Sequence, residues 1–131
     1  MADLNKTISM IFGVVFLAVG VLGFVMHPTL ILFGVNTLHN IVHLASGAVL
    51  LGGALANGGR NARHVNIVFG AVYLLVAVLG FVAPGLTATL LASDADAFSY
   101  ADAGLHAVLG IALIGAGVAF KDDARRANAT R

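Results

Sequence analysis

Two runs of nineteen residues with no charge, Ile8–Met26 and Val65–Ala83, limit what this chain can become more than any other feature. Each is long enough at 1.5 Å per residue to cross a hydrocarbon core of about 30 Å. Two further apolar stretches, about 38–56 and 101–120, have the same length but carry a few polar residues near one end. The expected fold is therefore all-α: an integral membrane four-helix bundle, one transmembrane domain spanning residues 1–131, with the lipid bilayer as its first partner. With 60% hydrophobic and 10% charged residues, little chain remains for a soluble domain. Absence of cysteine excludes disulfides, thiolate ligands and cysteine lipidation. A net charge of +1 without a basic stripe gives no footing for nucleic acid.

The breaks between helices are marked by composition. His27-Pro28 ends the first helix, since the residue before proline is pushed out of the helical region. The apolar region before it is too long for a signal peptide, and no small-x-small cleavage site follows. Thr29–Thr37 is too short to span and too apolar to float free, so an interfacial position is expected for it. The polar segment 57–64 reads as a loop, Pro84-Gly85 stops the third helix, and the longest loop runs through Asp94 and Asp96. Lys6, Arg60, Arg63, Lys121, Arg125, Arg126 and Arg131 all fall on one side of a four-span arrangement. By the positive-inside rule, the expectation is a multi-pass cell-membrane protein with both termini cytoplasmic.

The chain also resembles itself. Ile11–Val25 and Val68–Val82, 57 positions apart, agree at ten of fifteen residues, including FG and VLGFV. At an offset of 63, His43, Gly47, Leu50 and Gly52 meet His106, Gly110, Leu113 and Gly115. Two tandem helical-hairpin repeats, about 8–56 and 65–120, are expected, related by a two-fold axis along the membrane normal. Small residues let membrane helices approach closely, and Ala48, Gly52 and Ala56 have the four-residue spacing of such a stripe.

The repeat pairs His39 with Asp102 and His43 with His106, four candidate ligands at one end of the second and fourth spans. Residues four apart share a helix face, and three imidazoles with a carboxylate suit a first-row transition metal. Haem b, held by His43 and His106 as axial ligands, is a narrower reading of the same residues. Against both stands a structural reading in which these side chains, with Asn40 helping, hydrogen-bond across helices and fix their register. His27 and His64 are expected to be solvated. No phosphate loop, nucleophile elbow or catalytic carboxylate pair is present, so an enzyme is not the expectation. The leading reading is a structural or accessory subunit, as a homo-oligomer or part of a larger membrane complex. A metal- or haem-binding redox protein comes second, and a small transporter or channel third.

The segment LFGVNTLHNIVHLASG (Leu32–Gly47), the third-helix AVYLLVAVLGFV and the motif D-x-x-L-H-x-x-x-G at Asp102–Gly110 resemble an uncharacterised family of small bacterial four-helix membrane proteins, domain-of-unknown-function family 4383. The resemblance covers about residues 8–120 and departs at Ala103, where the family pattern implies asparagine. It implies four helices and a membrane location, and no activity. On the topology read from charge, reporter fusions after Arg60 and at the C-terminus score cytoplasmic and one near Asp96 scores external; an external Arg60 would reverse the assignment.

Overall fold

The structure, a computed structural model, describes residues 3–31, 33–91 and 100–120. Its elements are α1 (Leu4–Met26), a short hairpin of β1 (Thr29–Leu30) and β2 (Phe33–Gly34), α2 (Thr37–Leu55), α3 (Ala62–Val82), α4 (Pro84–Leu91) and α5 (Tyr100–Ala119). Four of these, α1, α2 with the turn that follows it, α3 and α5, are long and apolar enough to cross a membrane. Asp94, Asp96 and the tail from Lys121 lie outside the described residues.

The helix limits differ from the sequence expectation where capping decides them. α1 begins at Leu4 rather than residue 8 because the Asp3 carboxylate accepts from the Lys6 amide at 3.0 Å. α3 begins at Ala62, inside the expected 57–64 loop, after a tight turn in which Asn57, Gly58 and Gly59 take φ of 50°, 70° and 89°. Pro84 does stop α3, yet it also opens α4, an eight-residue helix within the expected third loop. Proline suits a first helical position, where its missing N–H has no partner to lose. Thr29–Thr37 is a folded element as well: the hairpin tucks Leu30, Gly34 and Val35 into the protein, and the Val35 amide donates to the Pro28 carbonyl at 2.8 Å.

The bundle is assembled from two close pairs, α1 against α2 and α3 against α5. The buried residues of α1 are Asn5, Ser9, Gly13, Phe16, Gly20 and Gly23; those of α3 are Ala62, Asn66, Gly70, Tyr73, Ala77 and Gly80, each 57 positions later. Backbones touch at Gly13 and Gly47 in one pair and at Gly70 and Gly110 in the other. A Cβ on Gly47 would lie 2.8 Å from the Gly13 carbonyl, and one on Gly110 would lie 2.8 Å from the Gly70 carbonyl. The expected stripe of Ala48, Gly52 and Ala56 is instead exposed, and a Cβ on Gly52 would meet nothing within 4 Å. The buried face of α2 is fixed by His39, His43, Gly47 and Leu50, which leaves that stripe on the outside.

The two pairs meet at a core of Phe16, Leu50, Tyr73 and Leu113, with the Phe16 and Tyr73 rings stacked 4.8 Å apart. Valine, leucine and isoleucine such as Val14, Val25, Val68, Val82 and Ile111 cover the outside. That apolar coat, too extensive for a water-facing surface, matches a hydrocarbon solvent. At the Arg60 end, Arg63 Nε donates to the Gly117 carbonyl at 2.9 Å and Asn5 Nδ2 to the Phe120 carbonyl at 3.0 Å. These bonds satisfy carbonyls that the end of α5 leaves without helical partners.

Gly47→Val tests the backbone contact. Overpacking there is expected to lower unfolding stability in detergent by about 1–3 kcal/mol, whereas Gly52→Ala stays within about 0.5 kcal/mol of the parent. Equal thermal midpoints for both variants would contradict the close approach of α1 and α2.

Candidate metal centre

The opposite end of the bundle, beneath the hairpin and α4, holds the histidines. Asn36 caps α2, its side-chain oxygen accepting from the His39 amide at 2.9 Å while its Nδ2 donates to the Leu90 carbonyl of α4 at 3.0 Å. This cap places His39 in the first turn, and His43 follows one turn deeper on the same face. On α5, Asp102 occupies the first turn, where the helix dipole favours a carboxylate, and His106 follows it in the same way. Burial is nearly complete, with relative exposures of 4% for His39, 5% for His43, 1% for Asp102 and 4% for His106.

His39, His43 and His106 converge: one ring nitrogen from each lies within 4.8 Å of the others. Asp102 stands behind His106 rather than among them, with Oδ1 3.0 Å from His106 Nδ1. The same Nδ1 lies 2.9 Å from the Asp102 carbonyl. His39 Nδ1 lies 2.9 Å from the Leu91 carbonyl, and His39 Nε2 lies 3.0 Å from His43 Nε2. His43 Nδ1 takes a longer contact, 3.4 Å, from the Tyr73 hydroxyl, which Ser46 also engages.

These partners assign the tautomers. A carbonyl only accepts, so His39 carries its proton on Nδ1 and offers Nε2 as an acceptor. His43 then donates from Nε2 and accepts at Nδ1 from Tyr73, giving a chain from Tyr73 through His43 and His39 to the Leu91 carbonyl. His106 donates from Nδ1 to Asp102, whose oxygens are all acceptors when ionised. Each imidazole is therefore anchored through Nδ1, and a carboxylate–histidine pair of the kind that orients metal ligands is among them.

Sequence reasoning did not bring Tyr73, Phe16 or Leu91 to the site. Tyr73 stacks on His106 at 5.4 Å and 15°, and Phe16 meets His43 edge-on at 5.3 Å. The repeat alignment held a signal for both, because it sets Tyr73 opposite Phe16 at the positions where the two hairpins face. Asn40 is fully buried, but neither side-chain polar atom has a hydrogen-bond partner among the described residues. It packs on α1 where Gly23 leaves room, a Cβ on Gly23 falling 2.6 Å from Asn40 Cγ. His27 and His64 are exposed.

Nitrogen NMR of histidine-labelled protein without metal is expected to show His39 and His106 protonated on Nδ1 and His43 on Nε2. Tyr73→Phe leaves His43 Nδ1 without its donor and lowers stability by about 1–3 kcal/mol, the cost of an unsatisfied buried group. His39 protonated on Nε2 would rule out the chain as assigned.

No curated protein and no solved structure matches this sequence. The family described as Domain of unknown function (DUF4383) matches residues 6–119. Spanning most of the chain, from α1 to the end of α5, that match makes this protein a member of the DUF4383 family.

Proposed function

We propose that this is a small, non-enzymatic membrane protein that holds one first-row transition metal ion between His39, His43 and His106. The observation that carries the reading is the shared orientation of the three rings: each Nδ1 is engaged by a partner, and ring nitrogens from all three lie within 4.8 Å. Metal–imidazole bonds of about 2.0–2.1 Å place tetrahedral nitrogens roughly 3.3 Å apart. The His39 and His43 pair at 3.0 Å is already near that value, and His106 brings a ring nitrogen within 4.8 Å of both. Asp102 and Tyr73 then serve behind the ligands, fixing ring orientation. Haem b is the weaker reading, because His39 lies 4.8 Å from the His43 ring and 5.8 Å from the His106 ring. A macrocycle between those axial candidates would have to displace it.

A second reading keeps the cluster metal-free, as a hydrogen-bonded lock that sets helix register in an accessory subunit or homo-oligomer. The 3.0 Å bond between His39 and His43 favours it. In either case the protein sits in the cell membrane with its Arg60 end cytoplasmic and the cluster toward the outer face, following the charge bias of Lys6, Arg60 and Arg63. A transport role has less support, since between the cluster and the Arg60 end the core is filled by Phe16, Leu50 and Leu113.

Metal analysis of protein purified in mild detergent through a tag lacking histidine decides between the two. About one equivalent of zinc, copper, iron or nickel is expected, falling below a tenth in His43→Ala, with affinity 10–100-fold weaker in Asp102→Asn. Equal metal content in the parent and His43→Ala would leave the lock.

A further inference from the structure

We propose that the cleft between α1 and α5 holds one acyl chain of a membrane phospholipid, which closes the lipid-facing side of the histidine cluster. The cleft has a volume of about 240 Å³. A dry cavity of about 150 Å³ accepts the six carbons of benzene, so on the same scale this one takes roughly ten carbons of a chain.

Its form suits a chain. Along α5 the lining runs from Asp102 to Leu109, seven residues and so about 10 Å of helix. Val15 and Val19 of α1 make the facing wall, and Leu30 and Phe33 of the hairpin roof the end nearest the membrane surface. The mouth opens sideways: at its rim Val15, Leu105 and Ile31 are 46%, 40% and 74% exposed and continue the apolar coat that the bundle turns to hydrocarbon. A phospholipid standing beside α1 and α5 has its chains at this depth, running with the helices and with the cleft.

Other contents fail on the chemistry of the walls. Almost none of the cleft surface is polar. The histidines on its inner side direct nitrogens to one another, to the Leu91 carbonyl and to Asp102, and what they present to the cleft is ring carbon. A water molecule needs about two to four polar partners to stay in a cavity, and these walls do not supply them. A lipid head group would lose its hydration against apolar side chains with no bond in return. An empty cleft would leave its lining without dispersion contacts while hydrocarbon stands at the mouth. An acyl chain restores those contacts and has no polar group to desolvate. With the chain in place, His43 and His106 are walled from water and head groups on the α1–α5 side. Occupancy by a chain does not depend on whether an ion is bound.

The test uses the full chain, labelled at valine and leucine methyls, in nanodiscs of dioleoyl phosphatidylcholine. NOEs from the lipid chains are expected at the half-buried Val19 and Leu109 at least as strong as at Val68 and Val78, which are 57% and 55% exposed on α3. Boundary lipid alone gives the reverse order, because its contacts follow exposure. Phosphatidylcholine with deuterated chains is expected to remove the Val19 and Leu109 signals; their survival would assign the cleft to a lipid of another kind and refute the proposal. Leu105→Trp, and separately Val15→Trp, fill the mouth, and each is expected to abolish those two signals while leaving Val68 and Val78 unchanged. Signals ordered by exposure, water signals at Val19 and Leu109, or undiminished chain signals in both tryptophan variants would overturn it. Metal content is read in a separate measurement, so the ion reading and this one can fail independently.

Discussion

An imidazole buried in a membrane bundle has no water to fall back on, and that constraint organises the upper half of this protein. His39, His43 and His106 each need partners for their ring nitrogens, and an unsatisfied group in such surroundings costs several kcal/mol. The chain meets part of this need from outside the spans. α4 supplies the Leu91 carbonyl to His39 and the Leu90 carbonyl to Asn36, while the first turn of α5 supplies Asp102 to His106. The hairpin adds Leu30 and Val35 as an apolar cover. Segments that look like connections in the sequence are thus the parts that allow three histidines to be buried.

The spans were legible because length and lack of charge suffice to define them, and the pairing of His39 with His43 and of Asp102 with His106 followed from a spacing of four. The expected ligand set differs from the geometry in one respect: Asp102 backs His106 instead of joining the ring nitrogens. Spacing identifies a shared helix face but not whether the residue one turn earlier points at the same target or supports its neighbour. α4 was hidden because its signal is a proline, and Pro84 reads as a stop for α3 before it reads as a start. The stripe of Ala48, Gly52 and Ala56 misled for a related reason. Small residues occur on both faces of α2, and the contacting face is chosen by the polar residues that must be buried.

Asn40 and Ala103, which the 63-residue offset aligns, sit in different surroundings. They occupy matching positions on α2 and α5 and are both fully buried. Asn40 sits over Gly23 of α1, without a hydrogen-bond partner among the described residues. Ala103 packs with Ala88 of α4, beside Val76 and Leu91. A side chain as large as asparagine at 103 would press on that small-residue contact, so alanine there is matched to the helix laid over it. Alanine at this position accommodates α4, and α4 in turn holds His39.

The assigned tautomers tie the two readings of the cluster together. Without an ion, His43 donates from Nε2 to His39 and accepts from Tyr73. With an ion held by Nε2 of both residues, His43 would carry its proton on Nδ1 and donate to the Tyr73 hydroxyl, reversing that bond. His39 and His106 need no such change, because their Nδ1 protons already point at a carbonyl and a carboxylate. The exchange moves a proton within one ring and requires no charge to leave the site. Tyr73 suits this position where its counterpart is Phe16, because a hydroxyl can act as donor in one state and acceptor in the other. Phenylalanine could stack on His106 as well, but it could not serve both directions of the bond.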